Sequence, residues 1–196
     1  MDYKMTIAGL ERHLPLCKVT DELYIAGFIM FNDVEITKAV SAELLAKAPE
    51  FDVLITAESK GIPLCYEMAR QSGKPYIVAR KGPKLYMQDI VTVEVKSITT
   101  AKQQILCLGR DEREVMQGKR VLIADDVIST GESIAALENL VEAVGGIIVG
   151  KFAVLAEGEA ADRDDITYLE YLPLFNPDGT PQHIHEDRAT NPHLDK

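Results

Sequence analysis

Val121-Leu122-Ile123-Ala124-Asp125-Asp126-Val127-Ile128-Ser129-Thr130-Gly131-Glu132-Ser133 is the stretch whose reading decides the fold. Its first four residues are apolar without interruption, as in a strand buried on both faces of a parallel sheet. Two adjacent carboxylates, Asp125 and Asp126, follow where that strand is expected to end. Hydroxyls at Ser129, Thr130 and Ser133 flank Gly131 and lead into a helix. Its apolar residues Ile134, Leu137, Leu140, Val141 and Val144 share one face, and it stops at Gly145-Gly146. A strand, a glycine-bearing turn and a helix N-terminus together make a cradle for a phosphate. The amides of residues 129–133 point into one concavity, Gly131 admits close approach of the main chain, and the helix dipole favours an anion. Asp125 and Asp126 add acceptors for sugar hydroxyls or a hydrated cation. The same carboxylates would also serve as helix caps or simply face water.

Outward from this motif the chain alternates strands and helices. Ile36, Val40 and Leu44 recur at helical spacing and predict a helix over Glu35–Lys47, ended by Pro49. Val53-Leu54-Ile55 is a short buried strand. Pro63 opens a helix that runs to Ser72 and stops at Gly73. Tyr76–Ala79, Ile147–Leu155 and Ile166–Leu172 are further strands. This order predicts an α/β fold, a Rossmann-like parallel sheet flanked by helices, with ligands at the carboxyl ends of its strands. Two segments depart from it. Residues 1–22 read as a helical or irregular lead-in, and Leu23–Phe31 as β-prone. From Lys81 to Gly109 the alternation of Val91, Val93 and Val95 with polar residues predicts an exposed β-arm, with Gln103–Leu108 as its pairing strand. From Asn176 the chain is polar and broken by proline. Residues 186–196 are expected to be disordered, and the His183-x-His185 pair to sit in solvent.

Bulk properties fit one domain over residues 1–196. The net charge of −10 and pI near 4.9 leave no basic face for nucleic acid. No apolar run reaches the ~20 residues of a membrane span, and Met1-Asp2-Tyr3-Lys4 does not open a signal peptide, so a cytoplasmic location is expected. Cys17, Cys65 and Cys107 are scattered and outside any CxxC pair, as reduced cysteines are.

Two more loops fall at strand ends. Glu58-Ser59-Lys60-Gly61 follows the Val53–Ile55 strand. Arg80-Lys81-Gly82-Pro83-Lys84 places three cations in five residues just after the Tyr76–Ala79 strand. Either could be an ordinary solvated turn, and either could neutralise a polyanion.

The 121–133 motif resembles the phosphoribosyl pyrophosphate (PRPP) signature of type I phosphoribosyltransferases, and every position of that pattern is filled. The resemblance extends over about residues 23–172 and falls in the purine branch, similar to the adenine and xanthine enzymes. It implies the type I phosphoribosyltransferase fold, with a small hood from the chain termini and a flexible arm at residues 81–109 that closes over the substrates. It implies Mg²⁺ as cofactor, PRPP and a purine base as ligands, and a homodimer. Ser129, Thr130, Gly131, Glu132 and Ser133 would take the 5′-phosphate. Asp125 and Asp126 would hold the ribose hydroxyls as catalytic residues, and the metal through water. Ser59 and Lys60, beside a cis peptide at or next to their bond, would take pyrophosphate with Arg80, Lys81 and Lys84.

For the base, Phe31-Asn32-Asp33-Val34 resembles the hood segment of adenine enzymes, with Phe31 stacking on the ring; a core phenylalanine is the other reading. Hypoxanthine–guanine enzymes place an Asp before Thr-Gly, and they and xanthine enzymes use a Lys shortly after the next strand. This chain has Ser129 and Glu157 there, which favours adenine, with Glu157 reading an amino group or lying on the surface. A PRPP-binding regulator of the same fold, a xanthine-type enzyme, and an enzyme for a pyrimidine or an amide donor are the rival readings.

Overall fold

A computed structural model describes residues 1–95 and 104–182 of the chain. Its strands are β1 (Asp2–Ile7), β2 (Leu10–Lys18), β3 (Tyr24–Ala26), β4 (Val53–Ala57), β5 (Tyr76–Ala79), β6 (Val91–Val95), β7 (Gln104–Leu108), β8 (Arg120–Ile128), β9 (Ile147–Glu157) and β10 (Thr167–Leu172). Its helices are α1 (Val34–Lys47), α2 (Ile62–Ser72), α3 (Arg110–Met116) and α4 (Glu132–Ala143). β4, β5, β8, β9 and β10 form an all-parallel sheet in the order β10-β9-β8-β4-β5. β4 reads Val-Leu-Ile-Thr-Ala and is buried at every position, as a strand covered on both faces must be.

The two covers differ. α1 and α2 bury Ile36, Val40, Leu44, Leu64 and Met68 against Leu54, Leu122 and Phe152. On the other face α4 buries Ile134, Leu137, Leu140 and Val141 against Ile55, Ile123 and Ala153. The helix ends follow local chemistry. The Asp33 side chain accepts the Ile36 amide at 3.0 Å to start α1. Pro63 sits in the first turn of α2, and Gly73 ends that helix at φ +69°.

Three expectations are corrected and one element is new. Residues 1–22 are not a helical lead-in: β1 and β2 form an antiparallel hairpin, turned at Ala8-Gly9, both at positive φ. Tyr3, Met5, Ile7, Leu10, Leu14 and Leu16 give it an apolar side that packs with the α1 side of the core. β3 pairs with β2, and Tyr24 exchanges two 2.9 Å backbone hydrogen bonds with Phe175, so both ends of the described chain build one small layer beside the sheet. Arg12 on β2 clasps Asp33 and Glu35, fixing that layer to the start of α1.

The second correction concerns the arm. β6 and β7 are antiparallel as expected, but Leu106, Cys107 and Leu108 of β7 are buried, and the two leucines belong to the α4-side core. Cys107 also exchanges backbone hydrogen bonds with Arg80 at 2.9 and 3.0 Å, which ties the arm to the end of β5. Residues 96–103 and the tail from 183, with His183 and His185, lie outside the described residues. Third, α3 went unread in the sequence: six of its seven residues are not buried, and only Met116 reaches the core. Fourth, the twin carboxylates lie within β8 and not beyond it. β9 runs on to Glu157 and pairs Asp125 with Ala153, Val127 with Leu155 and Ile128 with Ala156, giving the backbone partners past the apolar run.

Candidate active site

Four segments meet at the carboxyl ends of the parallel strands: the end of β8 with residues 129–133, the 58–61 loop after β4, the 80–84 segment after β5, and the chain leaving β9. Asp125 and Asp126 are buried there. The Asp126 amide donates to Asp125 Oδ1 at 2.9 Å. Burial, and then the neighbouring Asp126 charge, push the Asp125 carboxyl well above the ordinary carboxylate range, while Lys60 acts in the opposite sense. Lys60 Nζ stands 3.2 Å from Asp126 Oδ2, with the lysine about half exposed at 54%. Glu157, at the end of β9, is also raised by burial and opposed by Lys60. The structure thus brings Asp125, Asp126, Lys60 and Glu157 into one electrostatic unit.

Gly61 permits this closeness. It precedes α2 at ordinary helical angles, yet a Cβ there would overlap Thr56 Oγ1 and stand 2.8 Å from Asp125 Oδ1. Only a residue without a side chain lets the first turn of α2 press against the acid. The Glu58–Ser59 peptide is cis, one bond before Ser59-Lys60.

The 129–133 turn matches its expectation. Ser129, Thr130 and Ser133 are exposed, Gly131 is buried at φ +79°, and α4 begins at Glu132. A cavity of about 40 Å³ is lined by Asp125 and residues 127–134. It is lined by hydroxyl-bearing residues and the start of a helix, the chemistry of an anion site.

The basic segment is not free in solution. Glu58 Oε2 accepts the Lys81 amide at 2.9 Å, Glu58 Oε1 lies 3.3 Å from Arg80 Nη2, and Lys84 Nζ lies 3.9 Å from Glu58 Oε2. The Lys81 amide foremost, and then the charges of Arg80, Lys84 and Lys81, hold the Glu58 carboxyl below its ordinary value. The three cations are gathered at one place with a carboxylate already among them.

Phe31 does not line the 129–133 cavity. It is 44% exposed and lines a cleft of about 270 Å³ with Met30, Val34, Pro63, Tyr66 and other residues. No residue lines both this cleft and the 129–133 cavity. For Mg²⁺ the donors are the two adjacent carboxylates; no group of three His, Cys, Asp or Glu residues able to hold a metal occurs among the described residues. Two hard oxygen donors fit a magnesium ion that keeps several waters and completes its shell from a phosphorylated ligand. The sequence did not reveal Gly61, Thr56 or the contacts of Glu58, because Gly61 acts through Thr56 of β4 and Asp125 of β8, and Glu58 through the 80–84 segment.

A parallel sheet with an acid pair near one strand end and a glycine-bearing turn into the following helix places the candidate site where open α/β sheets take their ligands. The comparison with known proteins gives the class: residues 32–178 match the phosphoribosyl transferase domain, and the chain belongs to that family. It is 34% identical over 126 residues to a xanthine phosphoribosyltransferase of an Exiguobacterium species, covering 64% of each chain. It is 35% identical over 126 residues to an adenine phosphoribosyltransferase of Cenarchaeum symbiosum, covering 63% of this chain and 71% of that one. It is 31% identical over 126 residues to the purine biosynthesis transcriptional repressor PurR of Bacillus subtilis, covering 64% of this chain but only 42% of the repressor. Among solved structures, adenine phosphoribosyltransferase of Thermoanaerobacter pseudethanolicus superposes with TM-score 0.62 at 26% identity, covering 75% of this chain and 88% of that one. The Saccharomyces cerevisiae adenine enzyme has the same fold, with TM-score 0.65 at 18% identity over 80% of this chain and 91% of that one.

Proposed function

We propose that the protein transfers the 5-phosphoribosyl group of PRPP to a purine base, adenine in preference, releasing pyrophosphate in purine salvage. The observation that carries the reading is the junction of β8 and α4, where a buried acid pair adjoins an open hydroxyl- and amide-lined cradle within a family-matched chain. Ser129, Thr130, Gly131, Glu132 and Ser133 bind the 5′-phosphate. Asp125 and Asp126 hold the 2′- and 3′-hydroxyls and are the catalytic residues. Ser59 and Lys60, with Arg80, Lys81 and Lys84, receive the pyrophosphate. In the transfer the C1′–O bond to pyrophosphate breaks with its electron pair leaving on pyrophosphate, a C1′–N bond to the base forms, and the ring N–H proton of the base passes to the departing pyrophosphate. Asp125 and Asp126 would hold Mg²⁺ through water, and the ion would supply positive charge to the phosphorylated ligand. The chain's own part is to position the reactants and to face a positively charged ribose with carboxylates.

Phe31 and Glu157 are assigned to the base. Support for adenine comes from Ser129 and Glu157, which replace the Asp and Lys of enzymes for 6-oxopurines. A cytoplasmic homodimer is part of the same proposal; among the described residues no helix is long and apolar enough to cross a membrane. The likeness to the repressor favours one second reading, a PRPP-responsive regulator without turnover.

The test offers PRPP and Mg²⁺ with each base in turn and measures pyrophosphate release. Release with adenine supports the enzyme, while PRPP binding without release from any base supports the regulator. The Asp125→Asn/Asp126→Asn double variant is expected to lose at least ~100-fold in turnover; near-normal rates would remove the ribose role.

A further inference from the structure

The phosphate cradle lacks a cation of its own. Residues 125–133 contain three carboxylates, Asp125, Asp126 and Glu132, and no Lys or Arg. A phosphate dianion bound there would sit among like charges, with Lys60 already drawn to Asp126. The structure brings one cation to the turn from a distant segment. A Cβ added to Gly131 would overlap Nη1 of Arg163, so the guanidinium rests against the backbone of the turn. Asp165 aims it. Arg163 Nε donates to Asp165 Oδ1 at 2.9 Å and Nη2 to Asp165 Oδ2 at 2.8 Å, which fixes the plane of the fork and leaves Nη1 at Gly131. Asp165 is itself paired with Lys151 on β9, whose Nζ also donates to Glu138 Oε1 on α4 at 2.6 Å. The alternating series Glu138, Lys151, Asp165, Arg163 starts on the flank of α4 and returns to the turn before that helix. An anion in the cradle continues the alternation by one more charge.

We propose that Arg163 is the cationic partner of the cradle, a phosphate-binding and positioning residue fixed by Asp165 and supplied from the segment between β9 and β10. The inference rests on the cradle taking a sugar phosphate. Because the guanidinium touches Gly131, it acts on the phosphate end of the ligand and not on pyrophosphate. Replacing it raises KM for PRPP and leaves kcat nearly unchanged.

Calorimetric titration of ribose 5-phosphate, and separately of pyrophosphate, into wild type, Arg163→Gln and Arg163→Lys tests this. A charge-assisted hydrogen bond corresponds to about a ten-fold loss of ribose 5-phosphate affinity in Arg163→Gln. Pyrophosphate affinity should stay within about two-fold, and Arg163→Lys should recover part of the loss, because it keeps the charge without the fork. Unchanged ribose 5-phosphate binding in Arg163→Gln overturns the proposal, as does equal loss of both ligands or an equal loss in Arg163→Lys. Should Arg163→Gln fail to fold, phenylglyoxal labelling of wild type decides. Ribose 5-phosphate, but not ribose, slows modification of Arg163 if the proposal holds, and equal labelling refutes it. Wild-type protein that binds no ribose 5-phosphate would remove the cradle reading as well; binding by wild type and variant alike removes only the role of Arg163.

Discussion

Replacing Gly61 by alanine tests whether the acid pair is positioned by the close approach of α2. Two opposing effects set the magnitude. Gly61 lies at φ −72°, ψ −9°, where alanine fits, so on backbone grounds the change stabilises by about 0.4–1 kcal/mol. The new methyl group would overlap Thr56 Oγ1 and stand 2.8 Å from Asp125 Oδ1. Thr56 is fully buried and branched at Cβ, so it turns aside poorly, and overpacking of this kind costs about 1–3 kcal/mol. The steric effect wins, with a net loss of about 1–2 kcal/mol, or a fall in Tm of about 3–6 °C for a chain of this size. The Thr56 hydroxyl has no hydrogen-bond partner among the described residues, so Thr56→Ala removes the worst overlap without orphaning a polar group. In that background the cost of Gly61→Ala should nearly vanish, a coupling of about 1–2 kcal/mol between the two sites. Activity should not recover in parallel, because the contact with Asp125 remains; a small displacement of the acid costs about 10–100-fold in kcat/KM. Urea unfolding of the four proteins in the cycle gives the coupling, and pyrophosphate release gives the activity. A stabilised single variant, or the same cost with and without Thr56, would show that Gly61 does not pack as described.

Two further outcomes are expected. The Glu67 carboxyl, held down to about 2 by the Arg70 fork, ionises more readily in the native state than its ordinary value of 4.5. Its stabilisation is therefore full above pH 4.5 and drains away as the pH falls from 4.5 through about 2. Because Arg70 is half exposed, the wild-type advantage over Glu67→Gln should be about 1 kcal/mol at pH 7 and should shrink toward pH 3; a constant difference in unfolding free energy would contradict the assignment. If Glu157 reads the base as proposed, Glu157→Lys should move the adenine-to-hypoxanthine ratio of kcat/KM by about ten-fold toward the 6-oxopurine, since a donor replaces an acceptor. An unchanged ratio would separate Glu157 from base selection.

The sheet and its two helical covers were legible because their signals are local. Uninterrupted apolar runs at Val53 and Val121 mark buried strands, and Pro63 and Gly73 bracket α2. The hairpin of residues 1–18 was legible in principle. Tyr3, Met5 and Ile7 alternate with polar residues, and Ala8-Gly9 is a two-residue turn, but a single glycine is weak punctuation. α3 gave no signal, since one buried residue makes no periodicity. Of the proposed site, the residues contiguous with a motif could be named from the sequence: Asp125, Asp126, Ser129–Ser133, Lys60 and the 80–84 cations. Those that act across the fold were not. Gly61 matters through Thr56 and Asp125, Glu58 through Arg80 and Lys84, and Arg163 through a turn thirty-two positions earlier in the chain. Such pairings exist only once the strands are assembled.

The carboxylate of Glu58 occupies the centre of the basic segment before any ligand arrives. A visiting anion must therefore evict a resident one, and a singly charged ion such as chloride gains little from that exchange. If this segment receives pyrophosphate as proposed, a ligand with several adjacent negative oxygens would meet its cations together and leave Glu58 to water. The resident carboxylate would then act as an entry threshold that favours polyanions over small monovalent ions.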